Sequence, residues 1–295
     1  MRLFSNLLNK FKMASLPLRS GYLMIGLVFL VYVFGPYLAP FDFDQIRDDG
    51  TKFQTLAPPN AAHLFGTSNL GFDVLSRTIL GFQPAVAVIV ISVPLGVVIG
   101  SIAGVLAAFF RGWVDRILNF LADLLFVFPA LVLSMVVSLG IYAGQTGFVS
   151  GVMAAAISTA IAFIPKYFRA VRVEASQVIG SGYVQISIAS GVSSWRILAQ
   201  QVLPNSIRVL PILISKNAAD AVLVLAGLGF LGLGITPDTG AEWGYDLSLA
   251  VGDLLVGAWW TAFFPSLALL LLVLGFSLIA EWSAEDSLRR KRESL

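Results

Sequence analysis

Three charged side chains fall inside stretches that are otherwise apolar: Asp123, Lys216 and Asp220. A charge at membrane depth is costly, so such groups line a pathway or pair internally. Lys216 and Asp220 are four apart, hence on one helix face, where an ammonium and a carboxylate can meet. Mutual pairing and contact with cargo or a gate are the two readings of that spacing. For Asp123 the alternatives are an interfacial hydrogen bond and a role in translocation. Gly227, Gly229, Gly232 and Gly234 form a cluster whose spacing lets backbones approach closely or a helix unwind. An outer gate and plain tight packing both fit it. It is no phosphate loop, because no Gly-Lys-Ser/Thr follows.

Other chemistry is excluded. The chain has no cysteine, so it holds no disulfide, thiolate nucleophile or iron–sulfur cluster. Its one histidine, His63, is expected as a solvated loop residue and cannot build a histidine-rich metal site. No Ser–His–Asp set, paired carboxylates or Walker lysine can be traced. The expectation is a non-enzyme with no cofactor or metal of its own.

The elements that position these residues follow from composition. Of 295 residues, 57% are apolar and 12% charged, against about 25% charged in a soluble domain. That is too little charge to coat a globule, and the apolar residues cluster in runs of about 20, the length of a span. The fold class expected is an all-α integral membrane protein. Spans are read at 21–40, 84–109, 118–142, 148–164, 209–235 and 259–279, with Pro129 placed to kink the third. Six is the count, or five if the short fourth segment is re-entrant. Residues 41–80 read as an extramembrane loop, with a short helix from Phe72 to Leu80.

Six spans put both termini on one side. With the N-terminus inside, fifteen of the nineteen Lys and Arg fall in inside segments, including the 1–20 segment and the basic 281–295 tail. The positive-inside rule then fixes the orientation. The outside acids Asp238, Glu242, Asp246 and Asp253 lie in a stretch without Lys or Arg. They form either a solvated face or a contact for a partner with basic rims.

The longest inside loop, 165–206, has Val184, Ile188, Val192 and Trp195 at helical spacing, so it reads as ordered and amphipathic. Gly191 marks a turn between two short helices, and Ser193 or Ser194 is placed to cap the second. The second helix is expected to end near Leu203, before Pro204. Such a hairpin is either a docking knob for another protein or a surface-lying segment without a partner.

The run from Tyr183 through Gln185-Ile186-Ser187 to Gly191, followed by Trp195-Arg196-Ile197 and Leu203-Pro204, resembles the loop signature of bacterial binding-protein-dependent ABC permeases. Gln185-Ile186-Ser187 stands where Glu-Ala-Ala is usual. His63 to Arg77, Phe109 to Asp115, Asp123 with Phe128-Pro129, Gly229 to Gly234, and Glu242-Trp243-Gly244 are similar to segments of the dipeptide, oligopeptide and nickel group, second-subunit type. Phe72 stands where an Arg is common, and Leu225 where a Glu is. The resemblance covers about residues 21–290.

It implies a type I importer transmembrane domain: a first span at 21–40, a core at 81–280 with five further spans, and a coupling loop at 165–206. It implies an ATP-driven importer of short peptides, with nickel or another small solute as the alternative. The implied partners are a homologous permease, two ATPases carrying ATP and Mg, and an extracytoplasmic solute-binding protein. Nucleic acid is not among them. The implied place is the bacterial inner membrane, with both termini cytoplasmic. Tyr183, Gln185, Gly191, Trp195, Arg196, Leu203 and Pro204 would form the ATPase-coupling loop. Asp123, Lys216, Asp220, Gly229, Gly232 and Gly234 are the pathway or gate candidates. Asp238, Glu242, Trp243 and Asp246 are the receptor-contact candidates. A self-contained channel or carrier is the competing class.

Overall fold

The computed structural model describes residues 16–142 and 147–293, with side chains at 142 and 283–293 excepted. Most of the basic N-terminal segment and the tail side chains lie outside the described residues. The elements are α1 (Leu16–Leu38), a two-residue hairpin of β1 (Arg47–Asp48) and β2 (Thr51–Lys52), α2 (Val74–Leu80) and α3 (Phe82–Phe110). They continue through α4 (Gly112–Phe126), α5 (Ala130–Tyr142), α6 (Phe148–Ile179), α7 (Gly182–Ala189) and α8 (Ser194–Ile197). A π-helical turn, Leu198–Val202, leads to α9 (Leu203–Ser206). A 3-10 turn then leads to α10 (Leu210–Phe230), α11 (Trp243–Leu255) and α12 (Trp260–Glu293).

Five helical stretches are long and apolar enough to cross a membrane, and a sixth crossing exists if α4 and α5 count as one. Those two meet at 94°. The predicted kink at Pro129 is therefore a full break, and the interrupted segment is the third, not the fourth. Pro129 explains it: the residue before a proline is pushed out of the helical region. The expected fourth segment is instead the 32-residue α6. It continues through Pro165 and takes in residues 165–179, so the inside loop begins at 180 and not at 165.

What makes 165–179 look amphipathic is a basic stripe at helical spacing that meets three acids. Lys166 Nζ lies 2.7 Å from Asp220 of α10. Arg169 lies 2.7 Å from Asp123 of α4. Arg172 clasps Asp115 of α4 through Nε and Nη2, at 2.6 and 2.7 Å.

The core is the parallel packing of α3 on α6. Gly96, Gly100 and Gly104 lie one turn apart along α3, facing Tyr167, Phe168 and Val171 of α6. A Cβ at residue 100 would stand 2.7 Å from Tyr167 Cβ and 2.8 Å from the Ile164 carbonyl oxygen. Small residues are how helices in lipid gain close van der Waals contact. Gly21 and Gly275 bring α1 and α12 together in the same way. Because α3, α6 and α12 run one way and α1 and α10 run back, the molecule has two distinct ends. One, the cap end, carries residues 39–81 and 231–259. The other, the hairpin end, carries 180–209.

Candidate functional site

At the hairpin end α6 stops at Gly180, and Ser181 leads the chain into α7. Gln185 of α7 reaches back and donates its amide to the Ile179 carbonyl at 2.7 Å, satisfying an acceptor that the end of α6 leaves free. The far end of α7 closes on Gly191. Its φ is +75°, its N–H donates to Ile188 O at 3.1 Å, and Val192 N–H donates to Ser187 O at 3.2 Å. That pair of bonds is a Schellman cap, which needs a left-handed residue at the glycine position. No atom crowds Gly191, so its role is conformational. Ser193 occupies the cap position of α8, but its side chain makes no capping bond. The second helix does not stop at Leu203 either, since helical turns carry the chain through Pro204 into α10.

The hairpin is bolted down on one side and bare on the other. Val184, Ile197, Leu198 and Val202 are buried in the main core, and Gln201 donates to Ser187 Oγ at 3.0 Å, tying the π turn to α7. Outward stand Tyr183, Ile186 and Ile188, with Trp195 on α8 and Arg196 beside it. Ile186 and Trp195 are each 68% exposed. Trp195 thus presents an open outer face, while its inner edge meets the Phe110 ring at 6.1 Å between centroids. Large apolar groups exposed together mark a surface meant to be covered.

The in-span candidates separate. Asp220 is held by Lys166, not Lys216. Lys216 is exposed and makes no ion pair among the described residues, although it shares a helix face with Asp220. Sequence reasoning missed Lys166 because its partner is 54 residues away. Lys166 also approaches Asn217 Oδ1 at 3.4 Å and the Phe163 ring at 4.6 Å. Asp123 accepts from Arg169 of α6 at 2.7 Å, and both side chains are exposed.

The cap end holds the glycine cluster and the acids. Gly232, φ +74°, ends α10 with a second Schellman cap: Gly232 N–H to Gly229 O and Leu233 N–H to Leu228 O, both 2.8 Å. Gly234 is also left-handed, at φ +116°. Gly229 is bare for a different reason: Glu242 Oε2 lies where its Cβ would be. Glu242 is only 2% exposed and caps α11, its two oxygens accepting from Gly244 and Tyr245 N–H at 2.8 Å. Burial pushes its carboxyl up to about 8, against the pull of those two donors.

Trp243 is buried with its indole N–H donating to Thr78 O at 3.0 Å, and Asp246 accepts from Arg77 of α2 at 2.8 Å. In this conformation those three face inward, so only Asp238 of the four receptor candidates presents an exposed carboxylate. A hydrogen bond from Thr236 holds that carboxyl below the usual carboxylate range. His63 is likewise buried, not solvated. Its Nδ1 lies 2.9 Å from Asp73, against the rings of Phe41 and Phe53. The other Asp73 oxygen caps α2 through Ser76 N–H at 2.8 Å.

An all-α body whose helices are long and apolar enough to cross a membrane five or six times defines a multi-pass membrane protein. Residues 96–292 match the model of the binding-protein-dependent transport system inner membrane component, and the chain belongs to that family. It is 32% identical over 274 residues to a glutathione transport system permease protein of Pectobacterium atrosepticum, covering 92% of this chain and 85% of that protein. It is 34% identical over 259 residues to a probable D,D-dipeptide transport system permease protein of Escherichia coli, covering 88% and 82%. The chain is therefore a multi-pass inner-membrane permease of an ABC-type transport system, a transport component and not an enzyme.

Proposed function

We propose that this chain forms half of the translocation pathway of an ATP-driven importer of short peptides, and that the 180–206 hairpin is its docking site for a separate ATPase subunit. The observation that carries this reading is the exposed set Tyr183, Ile186, Ile188 and Trp195 on a hairpin whose other face is locked into the core. Aromatic anchors ringed by polar groups are what binding hot spots are made of. Arg196 beside Trp195 would pair with an acid on the ATPase. Gln185, Gly191 and the Leu203-Pro204 turn hold the hairpin rigid, so that motion of the ATPase reaches α6 without loss.

In this reading the hairpin end is cytoplasmic, and both termini lie there. ATP and Mg are bound by the ATPases, a second permease of the same family completes the pathway, and a solute-binding protein delivers cargo at the cap end. Asp238 is the acid available to meet that receptor. The peptide cargo is supported by the glutathione and D,D-dipeptide transport named for the two relatives. Coupling consists in the ATPase binding one permease state more tightly than the other.

The test is copurification with mass spectrometry, followed by transport in proteoliposomes. The expected result is a complex with a second permease and ATPases, in which Trp195→Ala lowers receptor-stimulated ATPase activity and peptide uptake at least about tenfold, the ~1.4 kcal/mol loss expected of a hot spot. A stable assembly of this chain alone, or full coupling with both Tyr183 and Trp195 replaced by Ala, would overturn the reading.

A further inference from the structure

Beneath the cap lies a small, partly open cavity of about 20 Å³, between the 66–73 loop, α2, α11 and the start of α12. Ser68, Arg77, Asp246, Asp253 and Thr261 give it polar walls, and Val74, Leu249 and Pro265 close the rest. Asp246 and Asp253 are seven apart on α11, two turns along one face. Both Arg77 donors engage the same Asp246 oxygen, Oδ1, so Oδ2 has no hydrogen-bond partner. Asp253 is 3% exposed and its Oδ2 is also without a partner. Thr261 and the Asn69 backbone lie close enough to ease the Asp253 charge, but the Thr261 hydroxyl donates to Ala258 O at 3.0 Å and Oδ2 keeps no hydrogen bond of its own.

A buried carboxylate oxygen with no donor is expensive, and here two such oxygens belong to residues that line one space. The volume suits one water-sized species. The charges lining the space are one guanidinium and two carboxylates, which leaves one negative charge unmatched. Among the described residues no group of three or more His, Cys, Asp or Glu side chains converges here or elsewhere. That disfavours a transition metal, which seeks nitrogen or sulfur ligands, and suits a hard ion taking oxygen. A divalent ion would overshoot the unmatched charge and would ordinarily collect more carboxylates.

We propose that this cavity is a binding site for one monovalent alkali-metal cation of sodium size, held by Asp246 Oδ2 and Asp253 Oδ2 with Ser68 Oγ at its wall. The ion joins α11 to the 66–73 loop and so sets how firmly the cap is closed. Burial pushes both carboxyls above the usual range, which is the penalty a bound cation relieves. The site goes beyond the transport reading and does not depend on what the cargo is.

The experiment is thermal unfolding of the full-length chain, in the complex with which it purifies, titrated with sodium chloride against choline chloride at matched ionic strength. Sodium is expected to raise Tm saturably, by about 2–4 °C at ten times its midpoint concentration, with choline flat. Asp253→Asn is expected to abolish the difference between the salts. Identical sodium and choline curves for the natural chain mean a water-filled or protonated pocket and overturn the proposal. Undiminished sodium dependence in the Asp253→Asn variant overturns it as well, by moving the ion elsewhere. Because the natural chain alone decides the first outcome, the inference is tested even if the variant does not assemble.

Discussion

Gln185 donates its side-chain amide to the carbonyl oxygen of Ile179 at 2.7 Å, joining the first turn of the hairpin to the last turn of α6. A glutamate at 185 has no proton to give at neutral pH and would set a carboxylate against that carbonyl. Gln185→Glu is therefore expected to loosen the junction by about 1 kcal/mol. The expected sign is faster amide hydrogen exchange in 181–190, with exchange in α3 unchanged. Equal exchange in both forms would show that the bond does not hold the hairpin.

The seam between α3 and α6 makes a stronger prediction. Gly100→Leu drives a branched side chain into Tyr167 and the Ile164 carbonyl. Overpacking of this kind costs about 1–3 kcal/mol or more, and here backbone lies in the way. Yield of folded, monodisperse protein should fall severalfold, whereas Gly26→Leu, where a Cβ meets nothing within 4 Å, should leave it unchanged.

Lys166 and Lys216 should behave oppositely. Removing Lys166 strands Asp220 against α6, at a cost of about 1–3 kcal/mol, between the values for exposed and buried pairs. Thermal unfolding of Lys166→Ala should show that loss, and Lys166→Ala with Asp220→Ala should recover part of it. Lys216→Ala should unfold at the parental temperature.

Glu242 gives the cap a pH dependence whose sign can be worked out. Burial raises its carboxyl to about 8, above the ~4.3 of an unfolded chain. A group raised on folding contributes stability that is full below the unfolded value and lost as pH rises through the folded one. Stability should decline from about pH 4 to pH 8 through this group, and Glu242→Gln should flatten that decline. A melting-temperature profile over this range reads it directly. A variant whose slope matches the parent would show that Glu242 stays ionised in the folded state.

The spans and the hairpin were legible because each is written locally. Apolar runs, the Gly191 turn and the ordered motif set need no knowledge of distant residues. The ion pairs were not legible. Asp220 had a lysine four residues away and took another 54 residues away, because the α6 stripe at Lys166, Arg169 and Arg172 faces it across the bundle. The same stripe disguised a helix as an amphipathic loop. His63, Glu242 and Asp246 read as surface residues because polarity was visible and their buried partners, Asp73, the α11 backbone and Arg77, were not. The Gly96, Gly100 and Gly104 spacing was a usable signal for close helix packing that the reading did not single out.

The glycine seam has a mechanical consequence. Two helices of 29 and 32 residues, locked backbone to backbone, form a strut about 45 Å long with no slack between its members. A push on the hairpin is then delivered at the cap without backlash, like a crank acting on a rigid rod. Compliance must reside elsewhere, and the 94° elbow between α4 and α5 is the joint that can supply it.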